Sequence, residues 1–246
     1  MGFIEKIGQY MLFLNRVFSK PERGRVFFSQ IIKEIYKLGV NSVGIVVIIS
    51  VFMGAVISLQ TAYNLINPLL PDYLVGYTTR ESMILEFSST IVGLILAGKV
   101  GSNIASEIGS MRVTEQIDAL EIMGINSASY LIFPKIIAAV FINPFLYVLS
   151  VFVGITGGLL ASSMTKVVSI PDYLYGVQID FIPYYITYSL IKTLVFAFII
   201  TSVPSFYGYF VSGGALEVGK ASTKAVVNSS ILILLANLIL TQILLK

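Results

Sequence analysis

Cysteine, histidine and tryptophan are absent from this 246-residue chain. Without cysteine there is neither a disulfide framework nor a thiolate nucleophile. Without histidine as well, the usual ligand sets of zinc, haem and iron–sulfur centres are excluded, and neither a metal site nor a catalytic residue is expected. Charge is scarce: charged residues make up 12% of the chain, against roughly a quarter in a soluble domain. A net charge of +3 is too small to argue for nucleic acid. What remains is apolar, 56% hydrophobic residues with a mean hydropathy of +0.88. The class this defines is an all-α polytopic membrane protein.

The first forty residues are amphipathic. Phe3, Ile4, Ile7, Met11, Leu14 and Phe18 fall at helical spacing, with Lys6, Arg16 and Lys20 among them. That pattern predicts a helix lying in the membrane interface, and Glu5 argues against a signal peptide. Pro21 to Arg25 is a break, after which Phe27, Phe28, Ile31, Ile32, Ile35 and Leu38 lead into the membrane. Five spans of about the length a bilayer core requires are expected over residues 43–63, 83–105, 132–160, 183–203 and 225–245. Residues 64–80, with Pro68, Pro71, Tyr73 and Tyr77, read as a loop. Residues 164–182 and 208–224 read as further polar loops, and a kink is expected at Pro144.

Between the second and third spans lies a polar stretch, Glu107 to Gly124, that concentrates Glu107, Arg112, Glu115, Asp118 and Glu121 beside Lys99. Thr114 is placed to cap a short helix, with Glu115 and Asp118 near its positive end and Gly124 as its stop. Ile117, Leu120 and Met123 give that helix an apolar stripe. It is shaped either to pass force to something outside the bilayer or to serve as an ordinary solvated loop. Lysine and arginine cluster before the first span (Lys6, Arg16, Lys20, Arg23, Arg25, Lys33, Lys37) and around the polar stretch (Lys99, Arg112, Lys135), with Lys220 and Lys224 before the fifth span. Only Arg80, Lys166 and Lys246 fall on the other side. This bias puts the N-terminus and the 107–124 helix in the cytoplasm and the C-terminus outside.

Two ionisable residues remain inside the spans: Glu86 in the outer third of the second and Lys192 near the middle of the fourth. A lysine at the bilayer centre costs about 2.5–3.5 kcal/mol on insertion scales, so such a residue faces a partner or a polar cavity. Either the two pair and fix helix register, or they meet a ligand.

Ala97-Gly-Lys-Val-Gly-Ser102, followed by Glu107-Ile-Gly109-x-Met111-x-x-x-Glu115-Gln-Ile-x-Ala-Leu120-x-x-Met-Gly124, resembles the signature of the MlaE/YrbE permeases. These are the membrane subunits of lipid-transporting ABC systems that work with MCE proteins. Gly208-Tyr209, Gly219-Lys-Ala-Ser-Thr-Lys-Ala-Val-Val-Asn-Ser-Ser230 and Leu190-Ile-Lys192-x-x-x-Phe196-Ala197 extend the likeness over about residues 27–246. Glu86 falls where the family has its second-span glutamate, and the Gly-Pro that often follows is here Ser88-Ser89.

The resemblance implies one permease domain over 1–246, with an interfacial segment (1–40), a five-helix transmembrane core (41–246) and a cytoplasmic coupling helix. It implies a homodimer in the bacterial inner membrane that moves phospholipid between that membrane and a periplasmic MCE partner, in maintenance of outer-membrane lipid asymmetry. A lipid cavity would take Glu86, Lys192, Phe52, Val56, Leu59 and Phe87. Coupling to a cytoplasmic ABC ATPase would fall to Glu107, Gly109, Met111, Arg112, Glu115, Gln116, Asp118 and Leu120. No Gly-x-x-x-x-Gly-Lys-[Ser/Thr] loop occurs, so ATP and Mg would be bound by that partner, and no cofactor is expected in this chain.

Two other classes compete. A self-sufficient secondary transporter or channel would use Glu86 and Lys192 as an ion relay, but five spans without an internal repeat fit it poorly. A membrane enzyme would have to draw its acid–base chemistry from Asp, Glu, Lys or Tyr, and no paired carboxylates sit at membrane depth.

Overall fold

A computed structural model of the chain describes residues 3–19, 24–65 and 70–245. Lys20, Pro21, Arg23, Pro68 and Lys246, which enter the sequence reading, lie outside the described residues, as do the side chains of Phe3 and Arg25. All regular structure among the described residues is helical: α1 Phe3–Phe18, α2 Arg25–Ile35, α3 Asn41–Asn64, α4 Leu74–Ser82, α5 Val92–Leu96, α6 Ser102–Val113, α7 Gln116–Ile122, α8 Ser127–Thr165, α9 Ile170–Gln178, α10 Tyr184–Tyr209 and α11 Ala215–Leu244. Wider π-turns at Tyr36–Val40, Met83–Ile91 and Ala97–Gly101 join α2 to α3, α4 to α5 and α5 to α6.

Among the described residues, five continuous helices are long and apolar enough to cross a membrane: Phe27–Asn64, Leu74–Val113, Ser127–Thr165, Tyr184–Tyr209 and Ala215–Leu244. Their number and order follow the sequence reading, and their ends do not. The second begins at Leu74, inside the expected 64–80 loop; the fourth runs through Pro204 to Tyr209; and the fifth starts ten residues before Ala225. The expected loop 164–182 holds α9. Its start signal is legible in retrospect: Ser169 accepts the Asp172 amide at 3.2 Å and donates to its carboxylate, with a proline in the first turn.

By contacts the chain forms two compact units, and each long helix contributes residues to both. The first comprises residues 1–41, 94–142 and 195–238. Within it, α1 turns Phe13 and Val17 into the core, where the Phe13 ring meets Phe206, Tyr209 and Phe210. Ile4, Ile7, Met11 and Phe18 of the expected apolar stripe are exposed, as suits a helix half-sunk in lipid. α6 packs on α10 and α11 through small residues. A Cβ at Gly208 would stand 2.7 Å from the Ala105 carbonyl oxygen, and Ser102 and Ser222 hydroxyls meet at 3.0 Å.

The second unit comprises residues 42–93, 143–194 and 239–246. α3 and α8 run parallel in it, paired in register by Ser50 with Ser150 at 2.7 Å, Gly54 with Gly154, and Ser58 with Ser162 at 2.6 Å. α4 and α9 touch backbone to backbone at Gly76 and Gly176. Arg80, 2% exposed, closes this contact. Its guanidinium donates to the Val177 and Ile179 carbonyls at 2.9 and 2.6 Å, pairs with Glu81 and lies over the rings of Tyr77 and Phe181. It satisfies the end of α9 that the helix itself cannot.

The close approach at Gly54 gives a signed prediction. A Cβ there would lie 1.8 Å from the Gly154 carbonyl oxygen, whereas one at Gly44, on the same helix, meets nothing within 4 Å. Gly44→Ala should hold or raise the melting temperature, since alanine favours a helix by about 1 kcal/mol. Gly54→Ala should lower it, overpacking costing about 1–3 kcal/mol. Thermal unfolding in detergent reads both.

Candidate functional site

The second unit places Glu86 and Lys192 in one polar cluster. Lys192 is 0% exposed, and its Nζ donates to Glu86 Oε1 at 2.9 Å, the Leu85 carbonyl at 3.1 Å and Tyr188 Oη at 3.1 Å. Every proton of the ammonium is taken. Thr90 donates to Glu86 Oε2 at 3.0 Å, and Tyr188 Oη lies 2.7 Å from Thr241. The sequence reading set the two charges at different depths. Their contact corrects that, and the helix ends account for it: the second helix begins at Leu74, which sets Glu86 deeper, and the fourth continues to Tyr209, which moves Lys192 off its middle.

Backbone geometry completes the meeting. Glu86 sits in the π-turn Met83–Ile91, where the wider winding releases carbonyls from their usual amide partners. The Ile84 carbonyl accepts from Ser189 at 2.6 Å and Tyr147 at 3.3 Å, and Leu85 accepts from Lys192. The irregularity therefore occurs without the Gly-Pro pair. The pair is lopsided: the Glu86 side chain is 41% exposed beside a cation that is fully buried. Phe87 is half-buried. Phe52 and Val56 lie on the outward face of α3, Phe52 being 66% exposed, and Leu59 is half-buried.

The first unit holds the polar stretch as two helices rather than one. α6 ends at Val113 and α7 begins after Glu115, which adopts a left-handed backbone with φ 59°. Thr114 does not cap α7. Its hydroxyl donates back to the Ser110 carbonyl at 2.8 Å and so belongs to the end of α6, as threonine does when i−4 back-bonding is on offer. The expected stripe is split, with Ile117 fully buried, Leu120 half-buried and Met123 exposed next to Ile122, which is 88% exposed.

The residues singled out around α7 divide by environment. Glu107 is drawn inward to Lys37 at 2.6 Å and to the buried Lys135 at 3.0 Å, and Lys135 also reaches Glu34 at 2.6 Å. A cavity of about 190 Å3 borders this cluster, lined by Lys33, Met111 and Tyr130 among others. Gly109 is buried against Val218. Arg112 pairs with Asp118 at 2.6 Å across the α6–α7 turn, while Glu115, Gln116 and Ala119 are exposed.

Glu121, at the far end of α7, collects three donors on Oε1: Arg16 at 2.7 Å, Ser127 at 2.8 Å and Tyr209 at 2.9 Å. Burial alone would raise its carboxyl. The bonds from Ser127 and Tyr209 and the Arg16 guanidinium outweigh it and hold the group below the usual carboxylate range. None of these partners of Glu121 follows from spacing, because they come from three other helices.

Gly214 to Lys220 has the Gly-x-x-x-x-Gly-Lys spacing of a phosphate loop but is followed by Ala221. The intervening residues form the first turns of α11, and Lys220 pairs with Glu217 at 2.6 Å.

These features define an all-helical, polytopic membrane protein with an ion pair inside its spanning helices and a short polar helix between the second and third. The sequence model of the family described as Permease MlaE matches residues 31–243, and the chain belongs to that family. It is similar to a probable ABC transporter permease protein of Rickettsia bellii, 36% identical over 242 residues that cover 98% of this chain and 93% of the relative. A probable ABC transporter permease protein of Synechocystis sp. is 34% identical over 227 residues, 92% of this chain and 86% of its own length. The intermembrane phospholipid transport system permease protein MlaE of Haemophilus influenzae is 30% identical over 246 residues, 99% of this chain and 93% of its own length.

Two stability predictions come from this geometry. Glu86→Gln strands a fully buried ammonium among neutral groups, whereas Lys192→Met leaves a partly exposed carboxylate still bonded by Thr90. Glu86→Gln should therefore be the more damaging, with about 3–5 kcal/mol as the ceiling for breaking a buried pair, and the double variant should recover most of the loss. Thermal unfolding of the three proteins decides it.

The second concerns acid. Because the Glu121 carboxyl is depressed in the folded state, its contribution is complete above the unfolded value of about 4.3 and drains away as pH falls through the lower folded value. Glu121→Gln should flatten that acid limb in melts taken from pH 6 to pH 3 and leave its slope near neutrality unchanged.

Proposed function

We propose that this chain is the permease subunit of an ABC transporter that moves phospholipid between the bacterial inner membrane and a periplasmic MCE partner, in maintenance of outer-membrane lipid asymmetry. Two copies form the membrane core and act as one permease domain each. A separate cytoplasmic ATPase binds and hydrolyses ATP with Mg. The observation that carries the reading is the form of α7, a seven-residue helix between two spanning helices whose outward surface is Glu115, Gln116, Ala119, Ile122 and Met123. Two bulky apolar side chains beside an exposed carboxylate make a small anchor with a polar rim, the build of a protein contact. Leu120, half-buried, backs that surface. Arg112 holds it from behind through Asp118, and Glu107, Gly109 and Met111 belong to α6, the helix that leads into it.

Orientation is supported by how the charges divide. Lys6, Arg16, Lys33, Lys37, Lys99, Arg112, Lys135, Lys220 and Lys224 all belong to the first unit, against Arg80, Lys166 and Lys192 in the second. Under the positive-inside rule the charged helix ends of the first unit face the cytoplasm, which puts the N-terminus inside and the C-terminus in the periplasm. Glu86 and Lys192 then supply polar anchors for a lipid headgroup, with Phe87, Leu59, Phe52 and Val56 as apolar walls. The relative named for intermembrane phospholipid transport supports the substrate class.

The test is reconstitution of the chain with its ATPase in phospholipid vesicles. Glu115→Lys or Ile122→Asp should weaken ATPase co-purification about tenfold, as loss of an anchor contact does, and abolish ATP-driven lipid transfer while the permease still inserts. Normal ATPase capture by both variants, or lipid transfer by the chain alone without ATP, would overturn the reading.

A further inference from the structure

Helix α7 is too short to hold its own shape or direction, since two turns do not offset the cost of helix nucleation. Its angle is set by what grips it. At one end the grip is internal, Arg112 to Asp118 across the turn from α6. At the other end it comes from the chain's first helix. Arg16, in the last turn of α1, donates to Glu121 at 2.7 Å, and its guanidinium carbon lies 6.0 Å from the Tyr209 ring centroid. Just past α7, the Asn126 side-chain nitrogen lies 2.9 Å from the Arg16 carbonyl oxygen and 3.0 Å from that of Ser19. The tail of α1 is thus joined by its side chain to the last turn of α7 and by its backbone to Asn126, which accepts the Ser129 amide at the start of α8.

An isolated ion pair at this exposure contributes little. This one is not isolated. The same Glu121 oxygen accepts from Ser127 at the start of α8 and from Tyr209 at the end of α10, and those two hydroxyls lie 2.8 Å apart. α1 itself is held on its inner side by Phe13 and Val17 and by Tyr10, bonded to Ser202 at 2.7 Å, while its outer side offers Ile4, Met11 and Leu12. An element seated in the membrane surface on one side and bonded to α7 on the other is a strut.

We propose that Arg16 is a positioning residue for α7. Through Glu121 the interfacial helix fixes the angle at which α7 meets the ATPase, so that strokes of the ATPase reach the spanning helices instead of being lost in rotation of a loose helix. The proposal rests on the reading of α7 as the ATPase contact. It assigns to α1 a part in coupling in addition to anchoring.

The full transporter, permease with ATPase, in phosphatidylethanolamine–phosphatidylglycerol vesicles tests it. The readout is fluorescent phosphatidylethanolamine moved per ATP hydrolysed. Arg16→Ala should leave ATPase co-purification normal and ATP hydrolysis running, while the ratio falls about five- to tenfold, the lower part of the range for coupling between sites. Arg16→Lys, which keeps a cation within reach of Glu121, should hold the ratio within about twofold of the parent. Glu121→Gln keeps the shape and should reproduce the Arg16→Ala loss, which covers the case in which that variant folds poorly. Tyr10→Phe removes one bond from a seat that Phe13 and Val17 still hold and leaves the bond to Glu121 intact, so the ratio should be unchanged.

An unchanged ratio in both Arg16→Ala and Glu121→Gln overturns the proposal, as does an equal fall in Tyr10→Phe, which would make α1 a plain anchor. Glu115→Lys run in parallel isolates the contact reading: if the ATPase stays bound to that variant, the contact reading has failed. If it is released while Arg16→Ala keeps the parent's ratio, only the strut has failed.

Discussion

Lipid offers no hydrogen bond, so a polar group carried into a spanning helix is costly unless it finds a partner within the protein; most do, the buried hydroxyls of Ser42, Ser88, Ser129 and Ser229 being exceptions. Much of the fold's detail follows from that one constraint. Hydroxyls of Thr193, Thr201, Ser202 and Ser205 turn back onto carbonyls one helical turn earlier. Ser50 and Ser58 pair with Ser150 and Ser162 and so set the register of α3 on α8. Arg80 spends its guanidinium on carbonyls at the end of α9, and Lys192 spends its ammonium on a carboxylate, a carbonyl and a phenol. The two most expensive side chains are thereby turned into joints between helices. The π-turn at Met83–Ile91 belongs to the same economy, because widening the helix exposes the carbonyls that Ser189, Tyr147 and Lys192 need.

This also explains which parts of the structure could be read in advance. Hydropathy measures composition along the chain, and composition alone fixes how many helices can cross a bilayer, so five spans were legible in the sequence. It does not measure where backbone bonding stops. Leu74 to Ser82 is polar enough to pass for a loop, yet it is helical because Gly76 lets α9 lie against it and Arg80 closes the contact. The same error, a second helix that begins at Leu74 and not at residue 83, placed Glu86 too near the surface. Thr114 shows the limit of cap rules: threonine before an acidic residue serves the end of one helix as readily as the start of the next, and the left-handed Glu115 decides between them. The partners of Glu121, drawn from α1, α8 and α10, have no local signature at all.

The two units handle charge in different ways. In the first, most pairs are half in water: Arg16 with Glu121, Lys37 with Glu107, Arg112 with Asp118 and Lys220 with Glu217, with Lys135 the buried exception. Exposed pairs of this kind contribute about 0–1 kcal/mol each; their value lies in geometry, since they join segments that hydrophobic packing leaves free to turn. In the second, both cations of the described pairs are buried, at 2% and 0% exposure for the Arg80 and Lys192 side chains. There the anion fixes whether the site is stable, because removing it strands a charge in a medium that cannot solvate it.

That contrast constrains what a headgroup would meet at Glu86 and Lys192. The lysine is fully buried and its three protons are committed, so a phosphate reaches it only by taking the place of Glu86 or of a neutral partner. The carboxylate, partly exposed, is the member a ligand encounters first. An incoming anion would therefore be repelled before it is attracted, and an exchange in which phosphate replaces Glu86 on the ammonium would leave the carboxylate to its remaining partners, Thr90 among them. A site built this way would hold its cation safely on its own and would bind an anion only through a rearrangement of the pair. Binding and release would then be tied to movement of the helices that carry the two residues, which is the property a permease driven from outside the membrane requires.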